Sequence, residues 1–180
     1  GPDALLSGAV TEWVTLHAPD WSTDPDELRA AFSPKTKAVI VNSPNNPTGK
    51  VFSRAELTTI AGLCQEFDAY AIADEIYEHI LFDGREFVSF GKACPELKDR
   101  TLIVNGVSKS YAMTGWRVGY AAGPAPLTKA MATIQSQSCT SVCSIAQAAT
   151  VAALNGPQDE VARFRGAFEA RRNLVVDGIR

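Results

Sequence analysis

Apolar and β-branched residues cluster in short runs at residues 12–16, 38–41, 69–73, 102–104 and 118–121, and each run predicts a strand. The last four are almost continuously apolar, the pattern of strands covered on both faces. Between them the apolar period lengthens to that of a helix. Asp24-Pro25-Asp26-Glu27 reads as a helix start, with a capping aspartate, proline at the first helical position and acids in the first turn. Ser53-Arg54-Ala55-Glu56 has the form of a capping box, and Leu57, Ile60, Ala61 and Cys64 then keep helical spacing. Strand and helix therefore alternate, which predicts an α/β fold around a mostly parallel sheet.

Beyond Pro124 the pattern is helical only, over residues 126–137, 144–154 and from 158 onward, with Asn155-Gly156-Pro157 as a stop and restart. Arg163, Arg165, Arg171 and Arg172 alternate with Glu160 and Glu169 in the last segment, and the expected role is a solvated helix face. The pattern is still running at Arg180, with no C-terminal cap.

With 180 residues, 46% hydrophobic and 21% charged, the chain has the composition of an ordinary globular domain with one sizeable core. A net charge of −3 and the lack of a basic run argue against nucleic acid as a partner. No apolar run is long enough to span a membrane, and no secretory leader pattern opens the chain, so the expectation is a cytoplasmic protein with no membrane partner. Cys64, Cys94, Cys139 and Cys143 form no Cys-x-x-Cys pair. Cys139 and Cys143 would share a face if they lay on one helix, but His17 and His79 show no ligand spacing, so reduced structural cysteines are expected and no metal.

Three polar loops follow apolar strands. Ser43-Pro44-Asn45-Asn46-Pro47-Thr48-Gly49 stiffens a loop at a strand's carboxyl end, where open α/β sheets bind ligands. A tight turn explains the prolines and the glycine but not two adjacent asparagines. Gly49-Lys50 lacks the earlier glycine and the following hydroxyl of a phosphate-binding P-loop. In Asp74-Glu75-Ile76-Tyr77-Glu78-His79 the aspartate is the first polar residue after its strand, and Tyr77 reaches the same place if a helical turn follows. Glu75 and Glu78 are expected to cap the next segment or to meet solvent. The third loop, Gly106-Val-Ser-Lys-Ser-Tyr-Ala-Met-Thr-Gly-Trp-Arg-Val-Gly119, brings Lys109 and Arg117 together. An amine and a guanidinium repel and are costly to bury together. The pairing makes sense when a phosphate dianion neutralises the arginine and the lysine forms an imine, which is the logic of a pyridoxal phosphate site.

These loops, in this order, resemble the class I and II aminotransferase family of pyridoxal phosphate enzymes, in particular its bacterial aspartate aminotransferase branch. The likeness runs from about Gly8 to Arg180 and includes Ala-Leu-Asn-Gly-Pro-Gln-Asp at residues 153–159. The resemblance implies the large domain of that fold, a three-layer sandwich with a mostly parallel sheet, present in part over residues 1–156. Residues 157–180 would form a long helix leading toward a small domain that this chain lacks. It also implies roles. Lys109 would be the Schiff-base lysine and the base that moves the substrate proton. Asp74 would pair with the ring nitrogen, Tyr77 and Asn46 would bond the ring's phenolic oxygen, and Asn46 would approach the substrate carboxylate. Arg117 would grip the phosphate as a fork, with Ser108 adding a hydroxyl. Many relatives carry serine where this chain has Gly106, which removes one phosphate donor. The upstream phosphate loop, the residue that stacks on the ring and the arginine for the substrate α-carboxylate are missing from this sequence.

The activity implied is amino transfer between aspartate and 2-oxoglutarate, in a homodimer of the full-length parent. Aromatic amino acid or prephenate transfer, a lyase or synthase on the same fold, and an inactive fragment are the alternatives.

Overall fold

In the computed structural model, which describes residues 1–179, β3 (Ala38–Asn42), β4 (Tyr70–Asp74) and β5 (Thr101–Gly106) lie parallel in that order. β6 (Gly119–Ala122) pairs antiparallel with β5. The parallel pairs need crossovers, and α3 (Arg54–Glu66) supplies the first. Its start is the expected capping box: Ser53 N donates to Glu56 Oε2 at 2.7 Å, and Glu56 N donates to Ser53 Oγ at 3.3 Å. Lys50 Nζ, 2.7 Å from Glu56 Oε1, braces the same turn, a structural use for the Gly49-Lys50 pair. A short helix, α1 (Pro2–Leu6), opens the chain, and Asp24 likewise accepts from Asp26 N and Glu27 N at the head of α2 (Pro25–Ala30).

The core lies on one face of the sheet. Leu57, Ile60, Ala61 and Cys64 of α3 pack with Val41, Ala71, Ala73, Phe90 and Leu97. The continuous apolar runs suggested cover on both faces, and here the structure differs. Ala71 and Ala73 are buried while Tyr70, Ile72 and Asp74 between them are half-buried, Ile40 is 72% exposed, and β6 is exposed throughout. Helix packs on the Ala71 side, and the other face keeps apolar residues with no layer over them among the described residues. The run at residues 12–16 also departs from expectation. Only Leu16–His17 (β1) is extended in a ladder, because its partner Ser22–Thr23 (β2) offers two residues to pair with.

The C-terminal third is α5 (Ala125–Ser138), α6 (Ser144–Asn155) and α7 (Asp159–Ile179), with boundaries within about two residues of those expected. Gly156 ends α6 where a Cβ would sit 2.6 Å from Ala152 O, so no larger residue fits. Gln158 Nε2 then caps the helix by donating to Gly156 O at 2.7 Å and Ala153 O at 3.1 Å. Cys139 ends α5 and Cys143 precedes α6, so the two thiols do not share a helix face. Cys64 and Cys94 are fully buried, and burial pushes the Cys64 thiol up to about 11. Among the described residues no cluster of His, Cys, Asp or Glu is arranged to hold a metal, and no helix is long and apolar enough to cross a membrane.

Candidate active site

The three polar loops meet at the carboxyl ends of β3, β4 and β5, because parallel strands deliver their following loops to the same edge. Asn42, the last residue of β3, ties two of them together. Its Nδ2 donates to Asp74 O at 3.1 Å, and its Oδ1 accepts from Asn46 N at 2.8 Å. Ser43 N also donates to Asp74 O, at 3.1 Å. The Ser43-Pro44 and Asn46-Pro47 bonds are both cis. Asn46 Nδ2 lies 3.4 Å from Tyr77 Oη, which links the asparagine loop to the turn after β4.

Asp74 is half-buried, and its Oδ1 accepts from Ile76 N at 3.2 Å. It has no cationic partner among the described residues, so a ligand cation would meet an uncompensated carboxylate there. Glu75 departs from the expected capping or solvated role in one respect: it does cap, but in the interior. Only 5% exposed, it accepts from Phe90 N at 2.8 Å and Ser89 Oγ at 3.0 Å, at the head of α4 (Phe90–Ala93). Burial raises its carboxyl above the ordinary range, partly offset by those two donors. Glu78 accepts from Asn105 Nδ2 at 2.5 Å and so joins the turn after β4 to β5.

Lys109 sits in a tight turn closed by Ala112 N to Lys109 O at 3.1 Å. Its Nζ lies 5.8 Å from the centre of the Tyr77 ring. Lys109, Ser108 and Tyr77 line one cleft of about 700 Å³, whose further walls include Phe82, Phe168, Arg172 and Val175. Ser110, the next residue, is buried with a hydroxyl that has no protein partner, leaving a spare donor in the lysine turn. Tyr111 Oη donates to Gln158 Oε1 at 2.8 Å, fastening that turn to the junction of α6 and α7. Gly106 answers to packing: a Cβ there would lie 2.9 Å from Val118 O, where β5 and β6 approach closely. A serine would not fit without movement of the backbone.

Arg117 does not line this cleft, although it bonds Thr114, which does. It is exposed, in the left-handed region with φ 54°, and its Nη1 donates to Thr114 O at 3.0 Å. It lines a second cleft of about 680 Å³ with Trp116, Cys139 and Cys143. The structure thus brings Asn46, Tyr77, Ser108 and Lys109 together, holds Asp74 next to them through Asn42, and turns Arg117 to a neighbouring hollow.

Two sets of residues escaped the sequence reading. Asn42 was hidden as the last residue of a strand, although an amide at that end is itself a signal of a loop brace. The wall contributed by α7 was hidden because Arg172 reads as one of several solvated arginines. Instead it is half-buried and paired with Asp83.

The profile of the family described as aminotransferase class I and II matches residues 4–180. The chain belongs to that family. It is 45% identical over 173 residues to an aspartate aminotransferase of Geobacillus stearothermophilus, covering 96% of this chain and 44% of that protein. It is 52% identical over 156 residues to an aspartate/prephenate aminotransferase of Cereibacter sphaeroides, covering 84% and 38%. Among solved structures, an aspartate aminotransferase from Thermus thermophilus with maleate superposes with a TM-score of 0.83 at 45% identity, covering 95% of this chain and 44% of that one. The chain spans less than half the length of these relatives, and its sheet is part of the large domain of their fold.

Proposed function

We propose that the protein containing this chain transfers an amino group between an L-amino acid, aspartate, and a 2-oxo acid, 2-oxoglutarate, with pyridoxal phosphate bound at Lys109. The observation that carries this reading is the Lys109 turn. A half-buried amine shares one cleft with Tyr77, whose hydroxyl meets the Asn46 amide. The donor set fits the cofactor: an amine for its aldehyde, a lone carboxylate for its ring nitrogen, a phenol and an amide for its ring oxygen, and a guanidinium for its phosphate.

When bound, the cofactor supplies a carbonyl and a ring that accepts an electron pair. Lys109 would anchor it and, once free, would carry the proton between the substrate α-carbon and the cofactor's carbonyl carbon. Asp74, held by Asn42, presents its carboxylate to a protonated ring nitrogen. Tyr77 and Asn46 orient the ring through its oxygen, with Asn46 also near a substrate carboxylate. Arg117 and Ser108 would hold the phosphate. The Thermus thermophilus relative was solved with maleate, a dicarboxylate, and this supports a dicarboxylic substrate. The apolar wall of Phe82, Phe168 and Val175 favours a second reading, in which an aromatic amino acid or prephenate is used.

The test is amino transfer by the full-length protein with Lys109→Ala. The variant should lose at least about a hundredfold in turnover, the lower range for losing a positioned proton carrier. Turnover equal to wild type would refute the mechanism.

A further inference from the structure

No residue of α7 is buried, so the helix is not held in place by the sheet core. It nevertheless supplies a wall of the Lys109 cleft through Phe168, Arg172 and Val175. Val161 and Phe164 of this helix are half-buried, and its junction with the loop after β4 is polar. Arg172 Nη1 and Nη2 grip Asp83 Oδ2 and Oδ1 at 2.8 and 2.6 Å, a two-point fork. Glu169 Oε1 accepts from Asp83 N at 2.7 Å and lies 3.6 Å from Arg172, so one turn of helix closes on both the backbone and the side chain of one residue. The Arg172 guanidinium also stands 5.1 Å over the Phe82 ring.

Asp83 is built to be gripped. It and Gly84 both have positive φ, 59° and 67°, so the chain turns sharply and presents the carboxylate outward. This turn comes six residues after Tyr77, and Ile80 and Phe82 just before it line the same cleft. Arg171, adjacent to Arg172, has no carboxylate partner among the described residues. The pairing is therefore specific to one of two neighbouring arginines. A single exposed ion pair contributes little, but this one is bidentate, shares a second carboxylate and bridges two walls of one hollow.

We propose that Asp83 and Arg172 are positioning residues whose clasp holds α7 against the loop after β4 and so sets access to the Lys109 amine. The inference rests on the reading of Lys109 as the reactive group, and it can fail separately from it. The measurement is the rate of acetylation of Lys109 by acetic anhydride, with no cofactor present, read by mass spectrometry relative to exposed Lys35. Lys50, half-buried and ion-paired far along the chain, reports any general loosening. Asp83→Asn and Arg172→Gln should each raise the Lys109 rate several-fold and leave Lys50 unchanged. The double exchange Asp83→Arg with Arg172→Asp should return it toward wild type. An unchanged or lowered Lys109 rate in the single variants, or a double exchange as reactive as they are, would overturn the proposal. Should a single variant also expose Lys50, the double exchange decides: recovery at Lys109 supports the clasp, and no recovery refutes it.

Discussion

Glu75 stands beside Asp74 in the chain but faces the opposite side of the sheet, because successive residues of an extended strand alternate. Ala71, Ala73 and Glu75 share the buried face, and Ile72 and Asp74 share the other. That alternation, which the continuous apolar run concealed in the sequence, separates the carboxylate offered to a ligand from the one that caps α4. The sign of its pH dependence follows. Burial raises the folded-state value above the ordinary 4.5, so the folded chain binds the proton more tightly than the unfolded one. The stability that Glu75 contributes is therefore full at low pH and falls as pH rises from about 4.5 through the raised value. Glu75→Gln keeps an acceptor for Phe90 N and Ser89 Oγ without the charge. Urea midpoints across this range should show the variant gaining on wild type as pH rises and then holding a constant lead. A difference that does not vary with pH would refute the assignment. Asn42 was not legible either, since its value lies in two hydrogen bonds to loops that only the folded sheet brings close.

At the scale of elements, the local signals were the reliable ones. The Ser53 capping box and the Asp24 cap were readable because both partners lie within three residues and their chemistry requires no tertiary context. Ser53→Ala should cost about 1 kcal/mol, the usual loss of a helix cap, seen as a lowered urea midpoint with an unchanged slope. No loss would mean that Lys50 and Glu56 hold the first turn of α3 without the hydroxyl. Signals that depend on partners fared less well. The run at residues 12–16 had strand-forming residues but a partner of two residues, and the apolar strands looked doubly covered where only one side is packed. Likewise α7 was legible as a helix, yet its junction with Asp83 lies 89 residues away in sequence and left no periodic trace.

For the whole molecule, parallel strand order explains why loops far apart in the chain reach one edge, and why three such loops were more informative together than any one alone. The family was legible from them, and the sequence comparisons agree. Arg117 shows where the sequence reading stopped: it shares a loop with Lys109, yet the two side chains line neighbouring clefts joined through Thr114. If Lys109 is the amine that takes the cofactor, reductive trapping will find it there. The chain is mixed with pyridoxal phosphate, reduced with borohydride and digested, and the labelled peptide is identified. The pyridoxyl group should appear on Lys109 well ahead of the exposed Lys35 and Lys37. Label spread evenly over the surface lysines, with no preference for Lys109, would contradict it.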